Sequence, residues 1–301
     1  MKSIFVFGLF EDSPGKTTFS CSLLHKLKNL GIDSVPLKAR AGHNYWYQYD
    51  MIRPCLKEGR LYCSDIIKLK KASGCKEKYE ILNPIDTLIT PLDTCYYLEN
   101  ETSRNLYLAH KDLYNHLVME RYTILKNGRM ENTILLRESP THLISTEIIE
   151  KLTSKADKIL KIEHLESWTS FYDQNASNAI TTCTEYLKKH DIMVSEGFCD
   201  IIYPAPIVKH EVVVGVSPGT VVIYDSERFC KAVKYYTRER KTQFKASEII
   251  SYLKPKGIYK IPPSTKSELN DFDKLSKAYQ EPLDSILKKI PVVLLAVRQA
   301  C

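Results

Sequence analysis

The chemistry in this chain is concentrated near its start, in Gly15-Lys16-Thr17-Thr18, which follows Ser13-Pro14 and an apolar run over residues 4–7. A glycine lets the backbone approach an anion, a lysine adds a point charge, and a hydroxyl can sit on a divalent cation. Together at a helix N-terminus, where unpaired N–H groups and the dipole favour negative charge, they suit the phosphates of a nucleoside triphosphate. The run at 4–7 reads as a parallel strand buried on both faces. Phe19, Leu23, Leu24, Leu27 and Leu30 then recur at helical spacing, and Gly31 supplies the stop. Ser13, Pro14, Gly15, Lys16, Thr17 and Thr18 are therefore expected around ATP, with Lys16 acting in catalysis and Thr17 on Mg²⁺. Phe10 stands where the consensus has its first glycine; the chain has Gly8 instead.

Two later residues join this set. A second strand, residues 33–37, ends beside Lys38. A strand over 192–194 leads through Ser195 to Glu196-Gly197. A carboxylate at the carboxyl edge of a parallel strand faces the crevice where ligands sit, and phosphoryl transfer needs a metal-holding carboxylate there. Glu138, after residues 133–137, competes for this role. Glu196 is preferred because a helix precedes its strand and Gly197 follows it.

Phe5-Val6-Phe7-Gly8, Gly15-Lys16-Thr17, Ser20-Cys21-Ser22-Leu23-Leu24 and Pro36-Leu37-Lys38 resemble dethiobiotin synthetases and their amidoligase relatives, P-loop NTPases of the SIMIBI type. The likeness covers about the first forty residues. It implies that Lys38 faces phosphate and substrate, that Glu196 holds Mg²⁺, and that Pro262, in Ile261-Pro262-Pro263-Ser264, lies against the adenine. Phe198-Cys199-Asp200 replaces the family's small glycines and Ala39-Arg40 follows Lys38 in place of proline, so dethiobiotin synthesis itself is not expected. Dimeric switch members of the larger class carry an extra lysine early in the loop, and this chain has none, which favours an enzyme. No Asn/Thr-Lys-x-Asp follows a late strand, which favours ATP over GTP.

The acceptor of such a reaction is expected in two places. Arg40, His43, Asn44 and Trp46 lie in an aromatic stretch just after the second strand, able to recognise a ring or to form a lid. Asp200 follows Glu196 as a second metal ligand, a base or a turn cap.

These residues must be positioned by strands alternating with helices, which implies right-handed βαβ units. The expected fold is α/β: a doubly wound, mostly parallel sheet with helices on both faces. One domain over 1–301 is expected, with the irregular stretch 95–135 as a partly antiparallel insertion or lid. Within it, Asn127-Gly128 between apolar runs signals a hairpin. A last strand is expected over 292–297.

Nine scattered cysteines without Cys-x-x-Cys, and eight histidines without metal spacing, argue against a disulfide framework or a zinc site. No run is long enough for a transmembrane helix, so a cytoplasmic protein with no membrane contact is expected. The net charge of +7 favours anionic ligands. A small-molecule acceptor is favoured over nucleic acid, and a homodimer stays open. The competing function is a nucleotide-driven switch ATPase or GTPase working on a protein or RNA.

Overall fold

Short apolar runs make the central strands of the first sheet, while others, such as Arg40–Asn44, are polar. In chain order the strands are β1 (Lys2–Gly8), β2 (Ser34–Lys38), β3 (Arg40–Asn44), β4 (Ile85–Ile89), β5 (Leu117–Lys126), β6 (Arg129–Leu136), β7 (Lys158–Lys161), β8 (Ile192–Glu196), β9 (Ile201–Ile202), β10 (Val212–Ser217), β11 (Thr220–Tyr224), β12 (Phe244–Lys245) and β13 (Pro255–Lys260). The computed structural model describes residues 1–11, 15–202, 209–240 and 244–290, the side chains of 238–240 excepted. Ser13, Pro14 and the strand expected over 292–297 lie outside the described residues.

The chain is α/β and divides into two compact units. The first comprises Met1–Ala39, Asp65–Leu82 and the described residues from Thr184 onward; the second comprises Arg40–Ser64 and Asn83–Cys183. The sequence reading has one domain over 1–301; residues 95–135, read there as an insertion or lid, fall within the second unit, and no Pro/Gly/Ser-rich linker marks the unit boundaries.

The first unit carries a six-stranded sheet in the order β13-β11-β10-β1-β8-β2. β1 pairs in parallel with β10 and β8, and β8 with β2, while β11 runs antiparallel to both its neighbours. Burial on both faces explains the continuous apolar sequence of β1, where Ile4, Phe5, Val6 and Phe7 are at most 1% exposed. Pro36 is tolerated in β2 because that strand is outermost among the described strands, where a residue that cannot donate fits. Helix Lys16–Asn29 buries Phe19, Leu23, Leu24 and Leu27, and ends with Gly31 at φ +72°, as its sequence predicts.

The second unit holds a five-stranded sheet, β3-β4-β5-β6-β7. Asn127 and Gly128, both at positive φ, close the β5–β6 hairpin, matching the Asn-Gly signal. Three short helices, Thr94–Glu99, Ser103–Ala109 and Leu113–His116, fill the stretch before it. Arg40–Asn44, read from sequence as part of a recognition loop, is strand β3, paired in parallel with β4. No described helix is long and apolar enough to cross a membrane.

Candidate active site

In the first unit's sheet the register brings the carboxyl ends of three strands together. Val6 and Lys38 both stand opposite Glu196, and Gly8 stands opposite Val216. The N-terminus of helix Lys16–Asn29 opens at this same edge, since Thr17 in its first turn reaches Glu196 at the end of β8. Gly15 has φ +89°, a left-handed conformation that glycine adopts without strain.

The polar side chains converge on Glu196, which is 2% exposed. Thr17 Oγ1 donates to Glu196 Oε1 at 2.8 Å, and Lys38 Nζ lies 2.5 Å from the same oxygen. Glu196 Oε2 is buried with no hydrogen-bond partner among the described residues. Lys16 is 6% exposed and its Nζ donates to the carbonyl of Cys199 at 2.8 Å. Burial, and then the nearby Lys38 charge, lower the Lys16 pKa. Thr18 is half-buried and its carbonyl accepts from Ser22 Oγ at 3.0 Å.

Asp65 is the member of this group that the sequence reading missed. It sits in the first turn of helix Ser64–Ser73, and its Oδ2 lies 3.0 Å from Lys38 Nζ. Burial works against its charge, but Lys38 outweighs burial and holds the carboxyl below its usual range. An acid in the first turn of a helix is ordinary in sequence, so nothing local flagged it.

The turn after β8 is tight. Cys199 has φ +49°, rare for a non-glycine residue, and such strain persists where the surrounding structure imposes it. Asp200 is 8% exposed, and its carboxylate lies 3.7 Å from Lys245 Nζ, which also reaches Glu11 at 3.4 Å. Its described partners therefore differ from those of Glu196. Residues 203–206, which continue that stretch, lie outside the described residues. Pro262 is exposed just beyond β13, whose final residue pairs with Thr220 at the sheet edge that holds Gly8. Three strand spacings, about 14 Å, separate β13 from β1.

The remaining sequence candidates belong to the second unit. Arg40 Nη2 donates to Glu120 Oε1 at 3.1 Å, and its guanidinium lies 4.5 Å from the centre of the Tyr172 ring. His43 is 6% exposed and its Nδ1 lies 3.5 Å from Asp86 Oδ1. Asn44 uses its side-chain oxygen to accept from the backbone N–H groups of Trp46 and Tyr47, at 3.0 and 3.2 Å. That turn holds Trp46 57% exposed. Glu138 is exposed and pairs with Lys161 at 2.9 Å.

A metal held by protein groups alone has no candidate: no cluster of three His, Cys, Asp or Glu ligands occurs among the described residues. A cation shared with a bound anion does fit. The unpartnered oxygen of Glu196 and the Thr17 hydroxyl beside it form a hard, anionic oxygen set of the kind Mg²⁺ takes when phosphates supply further ligands. The sequence matches no protein-family model, and no curated protein matches it.

Proposed function

We propose that this chain is a Mg²⁺-ATP-dependent P-loop enzyme with a doubly wound sheet, acting as a kinase or ligase on a small metabolite. One observation carries the reading: Lys16, Thr17, Lys38 and Glu196 meet at the carboxyl edge of β1, β8 and β2, with one buried oxygen of Glu196 left over. Ligands of open α/β sheets bind at that edge. Lys16 would neutralise the β- and γ-phosphates, moving from the Cys199 carbonyl to do so. Thr17 and Glu196 would hold Mg²⁺, which supplies charge neutralisation at the transferring phosphoryl group. Lys38, held between Glu196 and Asp65, would face the phosphate and the acceptor. Catalysis of this type rests on positioning and electrostatic stabilisation. Pro262, on the same edge of the sheet, is suited to flank the base.

The test is a thermal-shift and hydrolysis screen of ATP, GTP and CTP with Mg²⁺. ATP should raise the melting temperature of the wild type. Lys16→Ala and Glu196→Gln should remove that shift and cut turnover roughly a hundredfold or more. Indifference to every nucleotide would sink the proposal. Turnover that rises with small amines or acids identifies a metabolite enzyme; turnover that rises only with protein or RNA replaces it with a switch.

A further inference from the structure

The chain's formal net charge of +7 is confined to one stretch: residues 226–260 hold ten Lys and Arg against Glu227, Glu239 and Glu248, and the rest of the chain is neutral overall. The fold concentrates this charge further. Helix Ser226–Arg240 packs Phe229, Ala232, Val233 and Tyr236 against the core. Its opposite face exposes Arg228, Lys231, Lys234 and Tyr235. The segment leading into β13 lies alongside: the Tyr252 ring is 6.1 Å from Tyr236, Lys254 accepts from the Asp225 backbone at 2.9 Å, and Lys256 pairs with Asp225 at 3.1 Å. Tyr235 and Tyr252 stand 62% and 57% exposed on either side of Tyr236.

Lys-rich helix faces are commonly just solvated, but they usually come with acids in register. Here Glu227 is the one acid exposed on the described part of the helix, and Arg228, Lys231, Lys234, Lys254 and Lys260 make no ion pair with any described residue, so their field stays strongly positive. The exposed rings between them are tyrosines, which offer π-faces. Interfacial membrane helices present Leu, Phe and Trp instead. Cations interleaved with exposed aromatic rings are the means by which proteins track a phosphate backbone and stack its bases.

We propose that this surface of the first unit binds single-stranded nucleic acid, with Arg228, Lys231, Lys234 and Lys254 on phosphates and Tyr235 and Tyr252 under bases. The proposal stands apart from the nucleotide-site reading and needs no ATP in its test. Fluorescence anisotropy with labelled oligo(U) and oligo(dT) of about 20 nucleotides, between about 50 and 200 mM salt, measures it. Affinity should fall steeply with salt. Lys231→Gln/Lys234→Gln should flatten the log–log slope by about 1.4, for two lost phosphate contacts. Tyr235→Ala/Tyr252→Ala should weaken binding roughly tenfold or more while keeping the slope. All four positions are exposed, and an unchanged melting temperature confirms the variants are folded. Three results each overturn the proposal: no binding at about 50 mM salt, binding unchanged in both variants, or equal binding of polyglutamate or anionic vesicles with no effect of the tyrosine pair.

Discussion

Glu196 in the first unit and Glu120 in the second are both buried in polar networks, and the two networks are finished differently. In the second unit Glu120 is fully buried and both its oxygens are used: Arg40 and Thr87 donate to Oε1, and Tyr122 and the Trp168 indole donate to Oε2, the last three at 2.6 Å. In the first unit Glu196 takes Thr17 and Lys38 on one oxygen, and the other has no hydrogen-bond partner among the described residues. A buried acceptor left unmade costs on the order of 1–3 kcal/mol. A network completed by four side chains rigidifies a core. One left a lone pair short is suited to a ligand that completes it.

The comparison can be broken most directly at the two glutamates. Glu120→Ala removes the shared acceptor of the half-buried Arg40 guanidinium and of three neutral donors. It should cost about 3–5 kcal/mol in urea denaturation. Glu196→Gln leaves Lys38 paired with Asp65 and should cost only about 1 kcal/mol, while abolishing the nucleotide-dependent rise in melting temperature. Equal stability losses would remove the distinction drawn between the two networks.

The next largest effect is pH. Each unit also buries a histidine that the fold keeps neutral. His210 hydrogen-bonds Ser3 Oγ at 2.8 Å and stacks on Phe5, and burial pushes its pKa down to about 4. Burial, followed by the Arg137 charge, lowers His142 to about 4 as well. Unfolded, both titrate near 6.5, so at lower pH the unfolded chain binds protons that the folded chain refuses. Stability is therefore present above about pH 6.5 and lost as pH falls toward 4, by up to roughly 3 kcal/mol for each group. Denaturation curves at about pH 7 and pH 5 should differ, and the difference should shrink in His210→Phe. A wild-type stability that does not change over that range contradicts both assignments.

The smallest test uses one glycine from each unit. Gly15 at φ +89° has room for a methyl group, whose nearest neighbour would be Val216 Cγ1 at 3.8 Å, whereas at Gly59 (φ +65°) a methyl group would collide with the Ser154 side chain. Gly15→Ala should cost about 1 kcal/mol from backbone strain alone, and Gly59→Ala about 1–2 kcal/mol more. Melting curves of the two variants decide it; a Gly15 variant that unfolds as readily as the Gly59 variant shows that the loop is tighter than drawn.

Much of the framework around Gly15-Lys16-Thr17 was legible because its signals are local. An apolar strand, a helix-period stripe and a Gly-Lys-Thr between them lie within thirty residues, and Glu196 announces itself by closing a buried strand. Asp65 was not legible, since its importance comes from Lys38, far away in sequence. β3 was missed because Arg40-Ala41-Gly42-His43-Asn44 has little strand propensity and is held extended by its pairing with β4. The same pairing accounts for the buried His43. The division into units was hidden for a related reason: the chain leaves β2 and enters β3 with only Ala39 between them.

That alternation has a consequence for how the protein is made. β1 lies between β8 and β10, yet roughly 200 residues separate it from the end of β10. At about 5–20 residues per second a ribosome takes on the order of 10–40 s to deliver those partners. During that interval the second unit's segments are complete, while Ile4-Phe5-Val6-Phe7 waits as an unpaired hydrophobic strand, exposed to other nascent chains. Of the two halves, the one carrying the candidate active site depends on the longer-range strand pairing and is expected to be the later to mature.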